Sequence, residues 1–280
     1  MAIGLTAALV SAALFGVAAV WQAMAVRDHE AETRSAVAFV GMALTTPLLL
    51  LVIGAYLAGF VLHAVAIWTL PLYLAQATIS LSMPVTAIIS AHRLHEPLGA
   101  FGWGAVAAVT VGIGVVAAGA GAPGETTSGW LLPGVSWAMV VACTAVGLWL
   151  LRRGGHTRMV LLGLVAGCGY AGSAIAVRGV TGSISPEVIT VALAVPTLGA
   201  VAFWLYSVSL EGVAVTTSTA ALIVSETLVP ALVGVALLGD GVRPGWWPAV
   251  AAGFALAIGG AVALAHPGRV PMVGQAAQAS

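Results

Sequence analysis

Residues 130–151 read WLLPGVSWAMVVACTAVGLWLL. The stretch carries no charge and is long enough to cross a hydrocarbon core, which takes about 20 apolar residues. Four apolar spans precede it, at residues 3–26, 47–69, 71–92 and 98–120. Four more follow it, at residues 158–178, 187–210, 213–238 and 245–265. A single span between two sets of four turns the second set upside down in the membrane. The expected fold is all-α: a polytopic membrane protein of nine transmembrane helices, arranged as two inverted four-helix repeats joined by a linker helix. Residues 1–120 make the first repeat, 121–157 the linker with its one span, and 158–265 the second repeat. Residues 266–280, rich in Pro, Gly, Gln and Ala, read as a disordered cytoplasmic tail. Inverted repeats are common in secondary transporters, which hold substrate near the midplane between the repeats.

Composition supports the membrane class. The chain is 61% hydrophobic and 6% charged, where a soluble domain carries about 25% charged residues. The formal net charge is zero, so nothing points to nucleic acid. The partners implied are the lipid bilayer and a small-molecule substrate, with a homodimer left open. Cys143 and Cys168 both fall inside apolar spans and fit no zinc spacing, so neither a disulfide framework nor a metal site is expected. No cofactor is implied. The first span ends in Ala23-Met24-Ala25, a sequence like a signal-peptidase site, but no basic residue precedes Arg27. A secretory signal starts with positive charge, so residues 3–26 read as the first membrane helix.

The arginines choose between span counts. Residues 35–93 hold two comfortable helices or three cramped ones. With two, Arg27, Arg34, Arg93, Arg152, Arg153, Arg158 and Arg269 share one side, against Arg178 and Arg243 on the other. That asymmetry obeys the positive-inside rule; a third helix there would erase it. The expected location is the cell membrane, multi-pass, with the N-terminus outside and the C-terminus in the cytoplasm.

The repeat is visible in single residues. Ala8, Ala12 and Gly16 form a small-residue stripe in the first span, and Gly163, Gly167 and Ala171 repeat it 155 residues later. Such stripes let helix backbones approach closely. Glu96 and Trp103 recur as Asp240 and Trp247 at a shift of 144. Pro84 and Pro230 lie within the third and eighth spans, where proline removes a hydrogen bond and kinks the helix.

The run from Pro230 to Gly239-Asp240, followed by Trp247 and Gly259-Gly260, resembles the end of an EamA-type repeat. Leu94-His95-Glu96, Trp103, Gly112 and Gly114 resemble the same pattern in the first half. The chain thus resembles the drug/metabolite transporter superfamily. The second acid is Asp rather than Glu, and each half has four helices rather than five. Four-helix halves resemble the small multidrug resistance proteins, and the nine-span layout resembles the magnesium-transporter-like branch. The resemblance implies a secondary transporter of a small metabolite or drug-like solute, working by alternating access. A divalent-cation transporter, a lipid flippase and a non-transporting scaffold are the alternatives. An enzyme is not expected: His92, His95 and Glu96 fit no metal or hydrolase spacing, and there is no P-loop.

Glu226 is the leading functional candidate. An acid at mid-bilayer costs at least about 2.5–3.5 kcal/mol to insert, and is tolerated where it faces a cavity. There it can exchange a proton for a cationic or polar substrate; the alternative is a protonated Glu bonded to a neighbouring helix. His63, mid-span in the second helix, could relay protons or contact substrate, or simply bond a carbonyl. Tyr73, Gln76, Ser80 and Ser82 stay broadly on one face of the third span, as a cavity wall or as interhelical hydrogen bonds. Trp21, Trp68 and Tyr206 read as interfacial belt residues, though Trp204 and Tyr206 could also stack a ligand. Arg178, near a span end, is expected to snorkel to the headgroups. Glu96 and Asp240 read as structural acids at helix starts, and residues 27–34 as a solvated loop.

Overall fold

The computed structural model describes residues 2–27, 33, 35–95, 99–124, 129–153, 155 and 157–265. Glu96, the acidic run 28–32, Arg34 and the tail 266–280 lie outside the described residues. Among those described, the protein is all-α, and eight helices are long and apolar enough to cross a membrane.

Helix α1 spans Ala2–Val26. The span expected at residues 47–69 forms, and an additional short helix precedes it. Ser35 caps a short helix α2, Ala36–Thr45, and helix α3, Pro47–Thr69, follows after one residue. The break is the pre-proline effect. Pro47 disfavours helical geometry at Thr46, which sits extended at φ −91°, ψ 113°, while Pro47 itself suits the first helical turn. Leu70 before Pro71 is extended for the same reason and turns the chain into helix α4, Leu72–Ile79.

Helix α5, Ser82–Arg93, continues α4 after an interruption at Ser80 and Leu81. Pro84 has no N–H for the Ser80 carbonyl, four residues back. That carbonyl instead accepts from Met83 N at 3.1 Å, and Ser80 N and Leu81 N also bond three residues back. The chain is locally tightened and α4–α5 acts as one interrupted 22-residue span.

Helices α6, Gly99–Ala118, and α7, Leu131–Leu151, complete the first part of the chain. Helices α8, Thr157–Gly179, α9, Pro186–Ser209, and α10, Val215–Ala236, follow. Helix α11, Trp247–Ala265, is the last.

Small residues decide which helices touch. In α1, Ser11 Oγ donates to the Gly59 carbonyl at 2.8 Å, and α1 lies along α3. A Cβ at Gly16 would sit 2.6 Å from the Ser82 carbonyl oxygen, so α1 also packs tightly on α5. In α8, Gly163 and Gly167 abut the Ser218 and Leu222 carbonyls of α10, while α9 covers another side of α8. Each of the two stripes thus faces the helix two spans later.

Helices α6 and α11 pack on one another reciprocally. A Cβ at Gly112 would meet the Gly253 oxygen at 2.5 Å, and one at Gly260 would meet the Ala105 oxygen at 2.7 Å. These two contacts map onto each other at a shift of 148.

A methyl group has no room where a glycine meets a carbonyl. We predict that Gly167→Ala destabilises the protein by about 1–3 kcal/mol, the usual cost of overpacking. Gly134→Ala, on an open face of α7, should stay within about 0.5 kcal/mol of the parent. Thermal unfolding in detergent compares the two.

Candidate functional site

A cavity of about 500 Å³ lies inside the bundle, lined from α1, α3, α4, α5, α8, α9 and α10. Its wall is mainly apolar and aromatic: Phe15, Tyr56, Phe60, Tyr170, Phe203 and Tyr206 all contribute side chains. Glu226 is its only carboxyl among the described lining residues.

Glu226 reaches this position because the first part of α10, residues 215–227, is buried at every residue but Val224. Pro230 lies four residues beyond it in the same helix, and with no N–H it leaves the Glu226 carbonyl without its intrahelical donor. Among the described residues, no hydrogen bond is made by the Glu226 side chain. A carboxyl held in an apolar wall without a partner is costly to leave charged, and two species relieve that cost, a proton and a cationic ligand.

His63 lies on the same cavity, from α3. Its Nε2 is 3.0 Å from Gln76 Nε2, so the imidazole accepts there and carries its proton on Nδ1. Gln76 does not line the cavity; it stands behind His63, fully buried. His63 Nδ1 and Gln76 Oε1 are left without partners among the described residues. The pair therefore holds an unused donor and an unused acceptor beside the cavity. Ser82 also lines it, while Ser80 bonds Thr227 of α10 at 2.9 Å.

Tyr73 departs from the expected cavity wall. Its hydroxyl donates to the Gly241 carbonyl at 2.8 Å and accepts from Gly121 N at 3.0 Å. It ties the segment after α6 to the segment after α10, which also pair through Gly121 N to Gly241 O and Gly241 N to Ala122 O. The interruption at 80–81 explains the miss: a face drawn as one continuous helix is not continuous across it.

Arg178 does not snorkel. It is 3% exposed, its Nη1 donates to the Ile67 and Leu70 carbonyls, and its Nη2 donates to Gly124 O at 3.0 Å and Asp240 Oδ1 at 3.2 Å. Asp240 in turn accepts from Leu72 N and Gly124 N, both at 2.7 Å. The acid does sit at a helix start, but that of α4 rather than of the helix following it.

Tyr206 is not a belt residue. Tyr206 is buried on the cavity with its hydroxyl 2.6 Å from Thr219 Oγ1, and the Trp204 indole donates to the Thr33 carbonyl at 2.8 Å. Trp68 reaches the Val177 carbonyl at 3.2 Å. Gln22 donates to Ser207 Oγ at 2.6 Å and accepts from the Tyr56 hydroxyl at 2.9 Å, joining α1, α3 and α9 beside the cavity.

Sequence reasoning missed most of the aromatic wall. One usable signal was present: Tyr56 and Tyr170 lie well inside their spans, away from the membrane interfaces where tyrosine normally concentrates. Pro196, inside α9 and on the cavity, was also overlooked.

The fold and cavity together define a polytopic α-helical membrane protein with one buried acid in an aromatic chamber. Comparison with family models, with curated proteins and with solved structures finds no match to this chain.

Proposed function

We propose that the protein is a proton-coupled secondary transporter, moving a small drug-like or metabolite solute across the cell membrane by alternating access. The observation that carries this reading is the Glu226 carboxyl, without a hydrogen-bond partner among the described residues, on a cavity of about 500 Å³. The volume lies within the range of small-molecule sites, about 300–1,000 Å³. One carboxyl surrounded by aromatic rings suits an organic cation, which gains both charge pairing and cation–π attraction. A hydrated magnesium ion would call for oxygen ligands, and this wall offers mainly carbon.

The reciprocal packing of α6 with α11, and the two glycine stripes in α1 and α8, support two repeats of four helices joined by α7. The EamA-like residues around Pro230–Asp240 favour the drug/metabolite transporter superfamily. The arginine distribution favours an external N-terminus and a cytoplasmic C-terminus.

The test is uptake of radiolabelled tertiary amines into proteoliposomes with an imposed pH gradient. Accumulation should follow the proton gradient and collapse when a protonophore dissipates it. Passage of such amines at a rate indifferent to the gradient would remove proton coupling; no protein-dependent passage of any amine would remove this substrate class.

A further inference from the structure

Two arginine contacts, one half-buried and one buried, lie away from the cavity and are not used in binding a solute there. At one end of α10, Arg27 follows the last residue of α1. Its Nε donates to the Leu210 carbonyl at 3.4 Å and its Nη2 to the Val213 carbonyl at 3.2 Å. Those carbonyls form the corner between α9 and α10. At the other end of α10, Arg178 lies in the last turn of α8 and its Nη1 takes the Ile67 and Leu70 carbonyls, the latter at 3.0 Å. Those form the corner between α3 and α4.

The two constellations are copies. Ile67 and Leu70 become Leu210 and Val213 at one common shift of 143 residues, and Arg27 becomes Arg178 at a shift of 151. In each, the arginine ending a first helix holds the corner between the second and third helices of the other half. They stand at opposite ends of α10, a 22-residue helix about 33 Å long at 1.5 Å per residue. The cavity lies between them.

α1 makes only slight contact with α9 and α10, and α3 only slight contact with α8, while elsewhere across the same divide α4 and α5 pack on α10 and α6 packs on α11. A guanidinium that spans this seam adds directional, charge-assisted bonds to the helix packing there.

We propose that Arg27 and Arg178 are paired gate latches, each closing the cavity toward one face of the membrane, and that transport releases them in alternation. The inference rests on the transport reading for its purpose. Its structural content is separate: removing a latch opens the cavity to one face only. Asp240 binds the Arg178 guanidinium and also holds the start of α4 and Gly124. Arg178→Met is therefore made together with Asp240→Asn, so that no charge is stranded in the interior.

The experiment reports the cavity with a cysteine and needs no substrate. Cys143 and Cys168 are replaced by Ala, and Ser82→Cys is introduced on the cavity wall. Labelling by a membrane-impermeant maleimide is timed from each face, in intact cells and in inverted vesicles, for the parent, Arg27→Met and Arg178→Met/Asp240→Asn. Each latch variant should raise labelling about tenfold, the scale expected on losing hydrogen bonds to a charged group. The rise should come from one face alone, and from opposite faces for the two variants.

Unchanged labelling, or a rise from both faces in the same variant, would overturn the proposal. Should either variant fail to assemble, the latch is tested in reverse by a disulfide between Arg27→Cys and Val213→Cys. Closing that bond should slow labelling from the face at the start of α10 and not from the other; an equal effect on both faces overturns the proposal. Loss of the proton-coupled reading would leave these labelling results standing, and loss of the latch would leave uptake and its dependence on Glu226 standing.

Discussion

Glu226→Gln should abolish pH-driven accumulation of organic cations while leaving the protein folded. The amide keeps the size and hydrogen-bonding reach of the carboxyl but neither ionises nor pairs with a cation. In an apolar wall, loss of that charge removes the main polar attraction for the ligand. Affinity for a quaternary ammonium cation should fall by at least about tenfold, the low end of a charge-assisted contact. The native protein adds a sign that the variant lacks. Protons and cations compete for one carboxyl, so affinity for a permanently charged cation falls as pH falls. The slope approaches about tenfold per pH unit where the carboxyl starts protonated, the limit for one linked proton. In Glu226→Gln the pH dependence should be flat. Direct binding in detergent across a pH series separates these outcomes, and a sloped profile in the variant would place the proton elsewhere.

Arg178→Ala should be among the most destabilising single substitutions in the chain. It strips Asp240 of its ion pair while that carboxyl stays buried, held by Leu72 N and Gly124 N. Breaking one partner of a buried pair typically costs about 3–5 kcal/mol. The double replacement Arg178→Met/Asp240→Asn should recover part of that loss, because it removes both charges, although the amide keeps an acceptor for only one of the Leu72 and Gly124 N–H groups. The comparison is made by thermal unfolding in one detergent. A single variant no less stable than the double would show that the pair contributes little.

The all-α membrane architecture was legible because apolar length and glycine spacing are local signals. The stripe in α8 meets α10 where a small residue was needed, and the apolar runs became helices of the expected length. The short helix α2 was legible in principle from Pro47, but the arginine distribution argued against a third span in residues 35–93 and left residues 35–46 without a helix. Arg178 was misread because its position near a span end is the signature of snorkelling. What holds it is Asp240, 62 residues away, and a partner at that distance is seen only once the fold is known. Tyr73 was misassigned because its face was projected along an unbroken helix. Within the cavity, Glu226, His63 and Ser82 stood out as polar groups in apolar runs, whereas Phe15, Phe60 and Phe203 look like any other lipid-facing or core residue in a hydrophobic span. Their role depends on which faces of α1, α3 and α9 turn inward, and hydrophobic periodicity is silent where a helix is apolar all round.

The most direct test of the central claim is proton release on binding. Purified protein in detergent, weakly buffered, is titrated with quaternary ammonium cations while pH is followed, with Glu226→Gln alongside. The account predicts release of up to one proton per cation bound in the native protein, largest where the carboxyl starts protonated, and none in the variant. Cation binding without proton release at any pH, or equal release from Glu226→Gln, would contradict it.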